Sequence, residues 1–238
     1  MKITFDSITT YSYMKQILLI LFFLCSYSPC RSQEATTIPL ANFTELKVYD
    51  FISVILVPGD DNKLVLNTEN REFIQIMESD GVLKLNLASS QFLSNLIPVE
   101  LHYKHPLTVI DANTNAKITS KAILKGVEID IMAQEAAYIS LILETEFTSI
   151  KGTSGSEIHL KGTSKVQDVY VNTGGKVYCK NLQAKETMAM VLAGGYAEVH
   201  GTDKVVTKVK AGSTIIVYGK PQKLEKDLTF GGKVEVRE

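Results

Sequence analysis

Seven small residues recur in the second half of this chain at almost constant intervals, each three positions ahead of an apolar residue. They are Asn115, Ala136, Gly155, Gly174, Gly194, Gly212 and Gly231. The intervals between them are 21, 19, 19, 20, 18 and 19 residues. A fixed period of about 20 residues is typical of a solenoid, in which each repeat forms one layer on the next. The repeat therefore predicts an all-β fold, a right-handed β-helix (solenoid) of the single-stranded type with rungs of about 19 residues.

Within each repeat, apolar and polar residues alternate after the small residue. Because strand side chains alternate between two faces, two apolar columns on either side of a polar column indicate an inside, outside, inside arrangement. The first predicted inward column is Ile118, Ile139, Ile158, Val177, Ala197, Ile215 and Val234. The second is Ser120, Leu141, Leu160, Cys179, Val199, Val217 and Val236. The outward column between them is Thr119, Ser140, His159, Tyr178, Glu198, Ile216 and Glu235. We expect the small residues to form corners that need positive φ or close backbone approach.

Residues 33–106 contain many strand-like segments but no clear period. The alternating runs 73–76 and 82–87 flank Asp80 and Gly81, a pattern that predicts a β-hairpin. We therefore predict an antiparallel, strand-rich cap over residues 33–106 and solenoid repeats over residues 107–238. The two regions are expected to form one continuous domain.

The first 32 residues have the pattern of a secretory signal peptide. Lys15 precedes the apolar run 17–24, and small residues precede a cleavage site before Gln33. That run is shorter than the roughly 20 apolar residues of a membrane-spanning helix, and Met14 is an alternative start. We predict export with removal of residues 1–32 and no transmembrane span afterwards. The periplasm, the outer membrane, the cell surface and the exterior all remain open as final locations.

Composition excludes some functions. The formal net charge of the 238 residues is −1, without a basic stripe or a clustered Lys/Arg run, so we predict no nucleic-acid partner. Cleavage at the predicted site would leave Cys179 as the one cysteine of the exported protein. An exported domain of this kind has no internal disulfide framework. We expect Cys179 to be a buried, unpaired thiol in the second inward column.

Several segments together resemble a known family. They are Phe43, residues 48–59 (VYDFISVILVPG), residues 81–85, residues 103–107, and residues 216–221 (IVYGKP), which close the run of glycine corners. This combination is similar to the putative auto-transporter adhesin, head GIN domain family, over about residues 40–238. The resemblance implies a β-solenoid at the bacterial cell envelope and supplies no catalytic residues. The sequence departs from the family pattern at Asn115 and Ala136, where other corners have glycine.

One outward column is distinctly basic and is the candidate binding strip. It consists of Lys161, Lys180, His200, Tyr218 and Arg237. The strip would supply charge for an anionic polymer or an acidic partner, and Tyr178, Tyr196 and Tyr218 would supply flat contact area. The structural alternative is a solvated face with cross-rung charge pairing. No metal-binding residues are predicted, because the four histidines lack the spacing of metal ligands. No catalytic or cofactor-binding residues are predicted, because the sequence has no nucleophile elbow, phosphate loop or HExxH-like motif.

Two functions follow as hypotheses. The first is an exported, non-catalytic β-solenoid with an adhesin-like binding role or a structural role at the cell envelope. Its partner is unknown, with an envelope glycan or protein as candidates, and oligomers are possible. The second is a polysaccharide lyase or hydrolase, by analogy with other β-helices. The first is preferred because rungs of 18 to 21 residues leave no insertion long enough to wall a catalytic cleft.

Overall fold

The structure, a computed structural model, describes residues 35–67, 71–88 and 95–237, so the predicted signal peptide lies outside the described residues. Strands dominate these residues, and their helical structure is one 3₁₀ turn at Arg71–Phe73. The N-terminal strands are β1 (Thr36–Pro39), β2 (Glu45–Val48), β3 (Ile52–Pro58), β4 (Lys63–Leu66), β5 (Ile74–Ser79), β6 (Val82–Leu87) and β7 (Ile97–Tyr103). The later strands are β8 (Val109–Ala112), β9 (Lys117–Ala133), β10 (Tyr138–Gly152), β11 (Glu157–Val171), β12 (Lys176–Gln183), β13 (Glu186–Val191), β14 (Tyr196–His200), β15 (Lys204–Lys210), β16 (Thr214–Tyr218), β17 (Lys223–Thr229) and β18 (Lys233–Val236).

The repeats stack as rungs of a β-solenoid with about seven turns, which confirms the predicted fold. In each rung the chain runs along one sheet face, turns a tight corner and runs along a second face. We call the surface before the corners face B and the surface after them face A. Strands of successive rungs pair in parallel, as β10 does with β9 and β11. The long strands β9, β10 and β11 bend from face A of one rung onto face B of the next without a break.

The strand register places the two apolar columns in the interior, as predicted. Ile139 lies opposite Ile158, and Ala197 lies opposite Ile215. The first inward column is fully buried from Ile118 through Ile215. Cys179 is also buried and unpaired, as the pattern indicated. These columns form the hydrophobic core that runs along the solenoid axis.

Two members of the predicted outward column are buried instead of exposed. Glu198 and Ile216 are only 8% and 4% exposed. They lie opposite each other on β14 and β16, and Ile216 also pairs with Glu235 of the next rung. Neighbouring rungs therefore cover these two side chains. The alternation of apolar and polar residues along one strand does not predict this burial.

Each corner has two consecutive residues with positive φ. At Thr173 and Gly174 the φ angles are 49° and 70°. Asn115 and Ala136, which replace glycine in the first two repeats, adopt the same conformation, with φ of 63° and 61°. The corners also bond to one another, since the N–H of Gly174 donates to the carbonyl of Ala193 in the next rung. These hydrogen bonds between successive turns explain why Asn115 and Ala136 adopt the same conformation as the glycines of the other corners.

A second column of small residues directly follows the corners, in addition to the column that the repeat pattern predicted. At most corners, the backbone N–H of this small residue donates a hydrogen bond to the carbonyl three residues earlier, as Gly175 does to Asn172. A Cβ atom at Gly175 would lie 2.5 Å from the carbonyl oxygen of Gly152. Close packing between adjacent rungs therefore excludes a side chain there. The column is Ala116, Ala137, Ser156, Gly175, Gly195, Ser213 and Gly232.

The N-terminal part is only partly antiparallel. The hairpin of β5 and β6 at Asp80 and Gly81 is present as predicted, and β4 pairs antiparallel with β1 and β7. However, β2 pairs in parallel with β6 and β8, and β3 pairs in parallel with β7 and β9. Strands β2 and β3 thus lie between strands that follow them in sequence. This part extends the solenoid with rungs stacked out of chain order.

The final rung has a neighbour on one side only among the described residues. Strand β17 pairs with β15, and β18 pairs with β16. Residues that continue inward columns are therefore exposed, with Leu228 at 44% and Val236 at 48%. Lys226 also continues an inward column, because it lies opposite the buried Thr207. A charge at such a position protects an open strand edge from pairing with another chain.

Candidate ligand-binding face

Four rings form a continuous ladder across successive rungs of face A. The ring centroids of Tyr138 and His159 are 5.4 Å apart, those of His159 and Tyr178 are 4.5 Å apart, and those of Tyr178 and Tyr196 are 5.6 Å apart. The imidazole of His159 stacks on Tyr178 with an interplanar angle of 16°. The other two ring pairs are tilted, at 37° and 49°, and all four residues are half-buried, so this aromatic ladder is partly accessible to solvent.

Carboxylates hold the rings of the aromatic ladder in place. His159 Nε2 lies 2.5 Å from Glu157 Oε1, and the hydroxyl of Tyr196 donates to Glu198 Oε1 at 2.9 Å. Burial and then the neighbouring Glu198 raise the pKa of Tyr196. Burial, followed by the charges of Glu157 and Glu198, also raises the pKa of Tyr178. Both tyrosine hydroxyls therefore remain protonated donors at neutral pH.

Lysines flank the aromatic ladder without closing it. Lys117 Nζ lies 5.4 Å from the centroid of the Tyr138 ring, a cation–π contact. Lys176 pairs in the strand register with Glu157 on one side and Tyr196 on the other. Among the described residues, no carboxylate lies within ion-pair distance of the ammonium groups of Lys117 or Lys176. These two cations are therefore available to a ligand.

The predicted binding strip is not an even column. The register between β11 and β12 shifts by one residue between His159 and Lys161. As a result, Lys161 lies opposite Asn181 and not opposite Lys180. Lys161 has no ion-pair partner within the described part of the chain, whereas Lys180 Nζ lies 3.9 Å from Glu198. The strip therefore has one uncommitted lysine and one lysine that a buried carboxylate already attracts.

The remaining strip residues are also engaged. Arg237 makes two contacts with Glu235, at 3.2 Å from Nε and 2.7 Å from Nη2. Tyr218 lies opposite His200 in the register and beside Arg237. The Nδ1 atom of His200 accepts a hydrogen bond from the backbone N–H of Ala184 at 3.3 Å. His200 and Tyr218 thus contact neighbouring rungs, whereas the main partner of Arg237 is Glu235 of its own rung.

His200 also gives a physical reason for the Tyr-Gly-x-Pro segment that carried the family resemblance. Gly219 has a φ of 94°, and a Cβ there would lie 2.8 Å from two atoms of the His200 ring and 2.6 Å from the carbonyl oxygen of Gly201. The positive φ and the contact with the imidazole both require glycine at this position. This segment therefore allows the backbone to pack closely against His200 and Gly201 of the preceding rung.

Face A is the outer surface of a parallel sheet, and its described carboxylates are committed to neighbouring side chains. Its principal carboxylates, Glu157, Glu198 and Glu235, are each held by a neighbouring side chain. In the described ranges, no three His, Cys, Asp or Glu side chains are placed together to hold a metal ion. This geometry suits contact with an extended ligand better than enclosure of a reacting group.

The stacked rungs and glycine corners define a class of protein, the β-solenoids with a repetitive surface. A family described as "Putative auto-transporter adhesin, head GIN domain" matches residues 42–221. The chain belongs to this family, and the resemblance noted from the sequence is confirmed. No curated protein matches it.

Solved structures show the same fold at low sequence identity. A putative adhesin from Bacteroides fragilis NCTC 9343 has a TM-score of 0.78 and 14% identity, covering 88% of this chain and 99% of that chain. A putative adhesin from Parabacteroides distasonis ATCC 8503 has a TM-score of 0.70 and 21% identity, covering 86% and 96%. A putative lipid binding protein from the same strain has a TM-score of 0.65 and 14% identity, also covering 86% and 96%. Residues in the described ranges form no helix of the length and apolar character that a membrane span requires.

Proposed function

We propose that this chain is an exported, non-catalytic module that binds an extended polymer of the bacterial cell envelope along face A. The observation that carries the proposal is the aromatic ladder, which repeats rings, hydroxyls and flanking charges from rung to rung. Stacked strands repeat about every 4.8 Å, so a polymer lying along the axis meets similar groups at successive positions. Membership of an adhesin-like family supports the same role.

The charges of face A favour an anionic polymer. Lys117, Lys161 and Lys176 lack an ion-pair partner among the described residues, whereas the nearby carboxylates Glu157 and Glu198 are held by His159, Tyr196 and Lys180. Exposed cations attract acidic groups over roughly one Debye length, about 8–10 Å at moderate salt. We therefore place acidic groups of the polymer over these lysines and its hydroxyl groups over the ring edges.

A catalytic role is not proposed, because no observation on face A favours it. Glycoside hydrolysis needs two carboxyl groups facing one bond, about 5 to 9.5 Å apart, with one free to act as acid. Here Glu157 and Glu198 are tied to His159 and Tyr196. A panel of acidic and neutral polysaccharides incubated with the purified protein would test this, and steady release of reducing ends or unsaturated products would refute it.

Charge reversal tests the binding proposal. A Lys161→Glu/Lys176→Glu double variant should weaken binding to purified lipopolysaccharide or peptidoglycan by at least about tenfold, with the difference shrinking at high salt. The matched control is Lys208→Glu/Lys210→Glu on β15, which makes the same change in net charge on face B. Equal losses in both double variants would mean that net charge alone drives binding. If the unmodified protein starting at Gln33 binds neither probe, the proposal for face A is wrong.

A further inference from the structure

Face B has a groove of its own that the adhesin-like role of face A does not use. Its volume is about 490 Å³, within the usual range for small-molecule sites. The face-B groove is lined by Gln134, Lys151, Thr153, Tyr170 and Asn172. Lys151 and Tyr170 lie opposite each other on β10 and β11. Gln134, Thr153 and Asn172 stand at one position of three successive rungs, just before the corner.

Part of this groove is already organised by hydrogen bonds. The side-chain amide of Asn172 donates to the hydroxyl of Tyr170 at 3.3 Å, and its Oδ1 accepts from the backbone N–H of Thr173 at 2.8 Å. Asn172 thus links the position of the Tyr170 ring to the rigid corner turn. A ring held in this way loses little conformational freedom when a ligand arrives.

Other groups in the groove are uncommitted. Within the described part of the chain, the amide of Gln134, the hydroxyl of Thr153 and the ammonium of Lys151 have no hydrogen-bond or ion-pair partner. Tyr170 also differs from the tyrosines of face A, because no other described ring contacts it. The groove therefore combines one isolated aromatic ring with donors and acceptors on three successive rungs.

The electrostatics of the groove are mixed, which bears on the class of ligand. Asp111 is 9% exposed and lies two rungs from Lys151. Met132 lies on the rung between them, opposite both residues. Asn113 donates to Asp111 Oδ1 at 2.8 Å. Burial raises the pKa of the Asp111 carboxyl, while Asn113, Lys47 and Lys151 act in the opposite direction. A surface with one cation, a neighbouring carboxylate and neutral amides does not select for a strongly charged ligand.

A neutral saccharide matches this set of groups. Sugar rings have an apolar C–H face that packs on an aromatic ring, and hydroxyl groups around the edge that both donate and accept hydrogen bonds. We propose that the face-B groove binds a neutral saccharide, with Tyr170 beneath the sugar ring and Gln134, Lys151 and Thr153 bonded to its hydroxyls. This site lies on a different face from the proposed polymer surface and is independent of it.

Calorimetry with cellohexaose, laminarihexaose and mannohexaose, and with an oligogalacturonate of equal length, tests the proposal on the protein starting at Gln33. At least one neutral hexamer should bind, and Tyr170→Ala should weaken that binding at least about tenfold, the size expected for loss of an aromatic anchor. Tyr170→Phe keeps the ring and should retain most of the affinity. Gln134→Ala, at an exposed and unbonded side chain, provides a second variant if Tyr170→Ala lowers the melting temperature.

Variants on face A separate this site from the proposed polymer surface. Tyr178→Ala and the Lys161→Glu/Lys176→Glu double variant should leave binding of the neutral hexamer unchanged. Loss in Tyr178→Ala with retention in Tyr170→Ala would move the site to face A and overturn the proposal. Binding of the oligogalacturonate alone, or of none of the four probes, would also overturn it. None of these outcomes depends on whether face A binds lipopolysaccharide or peptidoglycan.

Discussion

The middle rungs and the final rung use the same sequence pattern but not the same environment. Val199 and Val236 occupy one inward column, and yet Val199 is fully buried whereas Val236 is 48% exposed. Both follow a glycine corner with nearly the same φ, 72° at Gly194 and 77° at Gly231. The comparison shows that an inward position in a solenoid is buried only when a rung lies on each side of it.

The two ends of the solenoid are protected by different means. At the N-terminal end, β5 and β4 pair antiparallel with β6 and β7 and cover the stack. At the other end, Lys226 occupies an inward position. Glu235 pairs with Arg237 of its own rung, and Glu225 pairs with Lys223 of its own rung and Lys204 of the preceding one. Exposed pairs of this kind add little to stability. Their effect is to make the open edge charged and unfavourable for strand addition.

The largest expected difference between the two regions is the effect of a charge in the shared inward column. Val199→Asp should destabilise the protein by at least about 4 kcal/mol, since it buries an unpaired carboxylate. Val236→Asp, the matched change in the final rung, should alter the free energy of unfolding by less than about 0.5 kcal/mol. Urea unfolding followed by circular dichroism measures both. Similar losses in the two variants would show that the final rung is packed as tightly as the middle.

Thiol accessibility is the second way to compare the regions. In the protein starting at Gln33, a thiol reagent should label Cys179 slowly in the native state and quickly after denaturation, because the side chain is fully buried. In a Cys179→Ala/Val236→Cys variant, the new thiol in the same column should react quickly under native conditions. Rapid native labelling of Cys179 would contradict the inward assignment, because a register slip of one residue exchanges the two faces.

The buried thiol also predicts a dependence of stability on pH. Burial, followed by the charge of Glu198, raises the pKa of Cys179 in the folded protein. An unfolded cysteine ionises near pH 8.5. Below that pH the thiol is protonated in both the folded and the unfolded protein, and its contribution to the free energy of unfolding is fully present. Above pH 8.5 the unfolded protein loses its proton first, so the free energy of unfolding falls by up to about 1.4 kcal/mol for each pH unit. The Cys179→Ala variant should show a shallower loss between pH 8.5 and 10, and equal slopes would contradict the prediction.

Corner residues should have smaller effects, of opposite sign. Gly174→Ala places a Cβ in a conformation with positive φ and should destabilise by about 1 kcal/mol. Ala136→Gly relieves the same strain in an earlier corner and should stabilise by about 1 kcal/mol. Both changes are measured by chemical denaturation. If Ala136→Gly destabilises the protein, the burial or bonding of that corner outweighs its backbone strain.

The smallest effect on the stability of the monomer is expected at Lys226. Lys226→Val completes an apolar inward column at the open edge, so it should leave the melting temperature nearly unchanged while promoting end-to-end association. Sedimentation or light scattering at increasing protein concentration detects this association. Lys223→Val, at an exposed position of the same strand, is the control. A Lys226→Val protein that stays as monomeric as the control would show that other features protect the edge.

Much of the fold was predictable from the sequence because solenoid periodicity is local. The repeat, the inward columns, the hairpin at Asp80 and Gly81 and the burial of Cys179 all follow from spacing within one or two repeats. Strand alternation and the need for positive φ at a corner act on neighbouring residues, so they leave a pattern in the chain. The predicted signal peptide and its cleavage before Gln33 remain predictions, since they lie outside the described residues.

Only the tertiary structure decided how the rungs meet. The place of β2 and β3 between later strands, the register shift that separates Lys161 from Lys180, and the burial of Glu198 depend on which strands pair. The aromatic ladder and the face-B groove likewise arise from residues about 19 positions apart that stacking brings to within a few ångströms. A single repeat carries no record of its neighbour's register, because cross-rung contacts form only after the stack has closed.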